Sequence, residues 1–74
     1  MSNRQLMIKA ALDKYEAQKS EALANLEVIF NNSVGIGEHT DYLTEVDKWI
    51  DHLSQAEEKL QTLNEYFGES KCGT

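Results

Sequence analysis

Proline is absent from this chain, glycine occurs only four times, and Cys72 is its single cysteine. Each shortage excludes something. Without proline, a long helix is interrupted by glycine or by residues such as Asn that tolerate the left-handed conformation. One cysteine cannot close an internal disulfide, so a staple common in small domains is missing. Seventy-four residues, 41% of them hydrophobic and 8% aromatic, supply one small core. No stretch approaches the roughly 18 apolar residues of a membrane span, and the first residues lack the apolar core of a signal peptide. The expected setting is cytoplasmic, with no membrane contact. Basic residues are scarce as well, seven against thirteen acids for a formal charge of −6. That balance argues against direct binding to nucleic acid or anionic lipid.

What is present favours helix: Ala, Leu, Glu, Lys and Gln are abundant. Ser2-Asn-Arg-Gln5 fits the capping-box spacing, with Ser2 or Asn3 as the cap. Ile8, Leu12, Tyr15, Lys19, Ala22, Leu26 and Ile29 then recur at alternating steps of four and three. This is a coiled-coil-like seam with one charged interruption, at Lys19. The spacing predicts a helix over about 3–31, ended by Asn31 and Asn32, since Asn tolerates the left-handed conformation. A second seam runs unbroken through Tyr42, Val46, Trp49, Leu53, Ala56, Leu60, Leu63 and Phe67. It predicts a helix over about 40–67, with Thr40 as N-cap, Asp41 in the first turn and Gly68 as the stop.

Two equal helices of about 28 residues, roughly 42 Å each, joined by a short connection make an antiparallel hairpin. The fold class is therefore all-α: one hairpin domain over residues 1–68, with 69–74 as a disordered tail. Laying the seams together sets Leu26 beside Val46, Ala22 beside Trp49, and Lys19 beside Leu53. Beyond them Tyr15 meets Ala56, Leu12 meets Leu60 and Ile8 meets Leu63. Two large aromatics thus face alanines, which lets the helices interdigitate at constant spacing. The stem of Lys19 is expected to cover the seam while its ammonium reaches water or an acid such as Asp51.

Beside each seam run flanking positions: Lys9, Glu16, Leu23 and Phe30 on the first helix, Leu43, Ile50 and Glu57 on the second. Their apolar members gather near the connection and their charged members near the chain ends. The extra width of Leu23, Phe30, Leu43 and Ile50 either thickens the hairpin's own core or meets another surface. A homodimer forming a four-helix bundle is the expected answer, with Trp49 contributing. In the connection, Val34 and Ile36 are expected to fold back as a lid over Phe30 and Leu43, the alternative being that they project as a contact for a partner, and Gly35 and Gly37 supply the backbone freedom. Charge is uneven too: from Glu38 to Glu69 there are nine acids and two lysines, a local −7. Asp47, Asp51, Glu58 and Glu65 share the outer face of the second helix. That face is either a solvated surface or a ridge for a basic protein partner.

No catalytic constellation emerges, so an enzyme is not expected. His39 and His52 stand thirteen residues apart, too far for one helix face, and with Cys72 they make no zinc pattern. The pairs Asp13/Glu16 and Glu38/Asp41 are faintly similar to the acidic clusters of all-α magnesium-dependent nucleotide pyrophosphohydrolases. Glu16, however, lies roughly 20 Å down the helix from the connection at 1.5 Å per residue. The two pairs cannot meet on one ion within a subunit. Gly35-Ile-Gly37 follows a helix where phosphate loops follow a strand, and it lacks their lysine. Arg4 is the sole arginine, too few for a dicarboxylate site. Cys72 has only Lys71 to activate it. Neither cofactor nor metal is expected.

The run Asn32-Ser-Val-Gly-Ile-Gly-Glu-His-Thr-Asp41, followed by an acidic amphipathic helix, resembles small proteins of T4-like tailed phages, including cyanophages. There the serine and threonine positions are often proline, as in Asn-Pro-Val-Gly-Ile-Gly-Glu-His-Pro-Asp. The likeness covers about ten residues closely and the hairpin pattern loosely. It implies a phage accessory protein without an assigned role and carries over no catalytic residue.

Overall fold

The computed structural model describes residues 2–31 and 39–68, apart from the side chains of His39 and Thr40. Two α-helices account for them: α1, Asn3–Asn31, and α2, His39–Phe67, each of 29 residues. They pack as a hairpin with extents of 52 × 22 × 16 Å. Among the described residues there is no strand.

The start of α1 is built by its cap. The Ser2 amide donates to Gln5 Oε1 at 3.0 Å, and the Gln5 amide donates to Ser2 Oγ at 3.1 Å. The reciprocal pair satisfies amides that a helix N-terminus would otherwise leave open. Ser2, not Asn3, is the cap, and its carbonyl accepts the first helical bond from Leu6 at 2.9 Å. At the other end no described residue has a positive φ. Asn31 is itself right-handed and helical, and its Nδ2 donates to Glu27 Oε1 at 3.1 Å. The second terminator, Asn32, lies outside the described residues, as do the connection and the tail from residue 69.

Helix α2 begins one residue earlier than expected, at His39, so Thr40 stands in the first turn and not at the cap. An offset of one residue is ordinary at helix ends. The Gly68 amide donates to the Asn64 carbonyl at 3.0 Å. A Cβ at Gly68 would collide with that same carbonyl oxygen, so a side chain there would open the final turn. The glycine ends the helix by close approach.

The core lies along the two seams. Ala22, Leu26, Ala56 and Leu60 are buried, and every other apolar seam residue except Phe67 is half-buried. The full burial of both alanines is what pairing with Trp49 and Tyr15 requires, since only a large neighbour covers a methyl group completely. Two further observations agree with the register. Ile8 and Leu63 line one groove, and the Lys59 ammonium lies 5.7 Å from the Tyr15 ring. Lys19 is half-buried and forms no ion pair or hydrogen bond among the described residues. The Asp51 carboxylate is engaged elsewhere, accepting from Gln55 Nε2 at 2.8 Å. Lys19 therefore covers the seam with its stem and leaves its ammonium to solvent.

Candidate assembly surface

In an antiparallel pair, the residues that follow a seam position on each helix come to the same side of the hairpin. Leu23 follows Ala22, Phe30 follows Ile29, Leu43 follows Tyr42 and Ile50 follows Trp49. The register sets Phe30 level with Leu43 and Leu23 level with Ile50, so the four form one patch in the half near the connection. Their exposures are 44% for Leu23, 50% for Phe30, 61% for Leu43 and 45% for Ile50. About half of each side chain therefore lies outside the contact between the two helices.

Farther from the connection the same side turns polar. Glu16 comes level with Glu57, and Lys9 with Asn64; all four are exposed. Lys9 Nζ donates to Asp13 Oδ2 at 2.8 Å, one turn along. That hydrogen bond, reinforced by the charge attraction to Asp13, raises the Lys9 pKa above 10.5. The opposite side of the hairpin is closed differently. Ala11, Gln18 and Asn25, each just before a seam residue of α1, are half-buried. Asn25 Nδ2 donates to the Glu21 carbonyl at 2.8 Å. On α2 the residues just before seam positions, Glu45, His52, Lys59 and Tyr66, are all exposed, so this side is covered from α1 alone.

Trp49 belongs to the seam and is half-buried. The His52 ring lies 5.0 Å from it, and the Lys48 ammonium lies 5.0 Å from its centre. Any contribution to assembly therefore comes through a tryptophan already held by its own helix. Val34 and Ile36 lie outside the described residues. The acidic face is present as a row: Asp47, Asp51, Glu58 and Glu65 are all exposed. Successive members Asp51, Glu58 and Glu65 are two turns apart, roughly 10 Å, about one Debye length at physiological salt. They act as separate screened charges.

The end far from the connection carries exposed apolar residues: Leu6, Met7 and Tyr66, which seam spacing did not reveal, and Phe67, the last residue of the α2 seam. Two shallow grooves lie there, one lined by Arg4, Met7, Ile8, Ala11, Leu63 and Phe67, the other including Tyr15, Lys59 and Thr62. Phe67 continues the α2 seam, but the register brings it level with Arg4, and although Met7, Ile8 and Ala11 line the same groove it stays 49% exposed. Counting both seams to their ends would have exposed that mismatch. Among the described residues no three metal-ligating side chains converge, and no helix is long and apolar enough to cross a membrane. Compared with protein-family models, curated proteins and solved structures, the chain matches none, so the surface is read from its own chemistry.

Proposed function

We propose that this is a non-enzymatic interaction protein that works as a homodimer, with Leu23, Phe30, Leu43 and Ile50 at the centre of the contact. One observation carries the reading. Among the described residues the hairpin buries only two alanines and two leucines as core, while four large apolar side chains on one side are each 44% exposed or more. Burying a leucine-sized side chain contributes roughly 1.5–3 kcal/mol. Two such residues are a thin foundation for two helices of 29 residues each, and small domains without disulfide or metal commonly complete their core by oligomerising. A second copy would cover the patch with an identical one, giving four helices in cross-section. The likeness of the connection to small phage proteins supports an accessory role in an infected host's cytoplasm.

Sedimentation or light scattering of the purified protein tests this. A dimer at micromolar concentration is expected. Leu43→Asp together with Ile50→Asp should yield monomer or unfolded chain, because each copy would bring two carboxylates into the apolar contact. An unchanged dimer mass in that variant would remove the patch from the interface.

A second reading rests on the row Asp47, Asp51, Glu58 and Glu65, which faces away from α1. It would make the protein an inhibitor of a host enzyme or defence complex, docking on a basic partner. Reversing the charges of Asp47, Asp51 and Glu58 should then abolish capture of that partner while leaving helix content and dimer mass unchanged. Capture that survives the reversal would leave the acidic row as solvated surface.

A further inference from the structure

Two hairpins can meet through this side in two symmetric ways. With the connections at the same end, α1 of one copy lies over α2 of the other along the whole length. With the connections at opposite ends, each helix lies over its own counterpart, and the patches overlap only when the copies are staggered. Building on the dimer reading above, we propose the second arrangement: a staggered dimer whose copies overlap through their loop-proximal halves, with their chain ends pointing apart.

The argument is carried by what lies beyond the patch. Glu16 and Glu57 are exposed on the same side and level with each other. In the arrangement with connections together, these two and their copies come to one level across the interface. Four carboxylates would then lose water, with Lys9 two turns away and already bonded to Asp13 at 2.8 Å. Desolvated like charges at close range repel far more strongly than the same charges in water. Staggering keeps all four in solvent and loses no apolar contact, because the patch ends at Leu23 and Ile50. Net charge points the same way. Residues 20–52 hold seven acids and one base, whereas residues 2–19 with 53–68 hold five of each. Staggering carries the acidic tip of each copy past the partner's patch toward its neutral half, where Lys19 is without an ion-pair partner among the described residues. Connections held together would stack the two tips on each other.

The arrangements differ in length. Two hairpins of 52 Å overlapping over roughly 20 Å span about 80 Å, and side by side they span little more than one hairpin. Small-angle scattering on the full chain under reducing conditions, beside a mass measurement, reads this directly. A dimer mass with a maximum dimension of about 80 Å is expected. The lone Cys72 gives a second reading, since it follows Gly68 by four residues, within about 14 Å along the chain. Mild oxidation of dilute protein should not link the two copies of one dimer. A dimer of about 55 Å that oxidises readily to a covalent pair would overturn the stagger while leaving the dimer reading intact. A monomer mass would remove the dimer reading itself, and a ladder of ever larger masses would overturn the two-fold contact. Glu16→Gln with Glu57→Gln adds an independent check. In the staggered dimer the dissociation constant should stay within about threefold, as for solvated charges. Tightening by tenfold or more, on the order of one lost repulsive contact, would show that the glutamates meet across the interface.

Discussion

The two halves of the hairpin share one seam and differ in almost everything beside it. Near the connection, buried Ala22 and Leu26 are flanked by the exposed patch of Leu23, Phe30, Leu43 and Ile50. In the far half, buried Ala56 and Leu60 are flanked on the same side by Glu16, Glu57, Lys9 and Asn64. The half with the apolar surface also holds the excess of acids, and the half with the polar surface is electrically balanced. The seam alone would make the halves equivalent for folding. On this side the flanks make one half a candidate for assembly and leave the other a polar stem, although the tip of that stem also exposes Leu6, Met7, Tyr66 and Phe67. Seam residues thus determine how the helices pair, and the residues one step outside them determine what the pair can meet.

The strongest way to break this comparison is to remove one buried leucine from each half. Leu26→Ala and Leu60→Ala each delete a large buried side chain, which typically costs 2–5 kcal/mol. If the loop-proximal half is further covered by a second copy, the two variants should separate. Leu26→Ala should lose both stability and dimer mass, because it loosens the support under Leu23 and Phe30. Leu60→Ala should lose stability by a similar amount but associate normally wherever it remains folded. Thermal unfolding at several protein concentrations measures both. Equal concentration dependence in the two variants would show the halves to be equivalent and the contrast in their flanks to be inconsequential.

Much of this contrast is legible in the residues alone, for a definite reason. Seam spacing of four and three constrains every residue of a long helix at once, so the helix limits and the level of Ile8 against Leu63 follow from it. The width of the apolar side follows from the same count carried one residue outward. Single-residue detail is less accessible. Thr40 has a good capping side chain, yet α2 starts at His39, because neighbouring cap positions differ by little free energy. The side-chain bond from Asn31 to Glu27, one turn back, is another detail that the spacing does not give. Lys19 and Asp51 stand at nearly one level, but Asp51 belongs to the row that faces away from α1, and its carboxylate accepts from Gln55 on its own helix. Local i to i+4 partners are always within reach, whereas cross-helix partners depend on how far apart the helices sit. The exposed Met7 and Tyr66 escaped attention because they belong to no periodic set.

A smaller effect sharpens the comparison at the tip of the stem. Ser2→Ala removes the hydroxyl that accepts from the Gln5 amide at 3.1 Å. Loss of such a cap costs about 1 kcal/mol. Since the far half carries no assembly surface in this reading, the variant should lower the melting temperature without weakening the dimer. Amide exchange should report the loss first in the opening turn of α1, because helix ends fray independently of the middle. A variant that weakens dimerisation as much as stability would show that the stem end takes part in assembly.

The smallest expected effect lies between these extremes, at Lys9 and Asp13. Their 2.8 Å ion pair is the shorter of the two described in the chain, the other being Lys48 with Glu45 at 3.9 Å. Side chains this exposed exchange protein contacts for water with little net gain. The sign of the pH effect nevertheless follows from the raised Lys9 pKa. A lysine held above its unfolded value contributes fully below pH 10.5 and loses that contribution only as the solution becomes more alkaline. Asp13→Asn should therefore leave the melting temperature at pH 7 within measurement error and leave the dimer intact. A clear drop at neutral pH that vanishes in high salt would mean that Lys9 needs Asp13 to offset another positive charge nearby. A drop in dimer affinity instead would bring the Lys9 level of the stem into the contact, and with it the arrangement in which the two connections lie together.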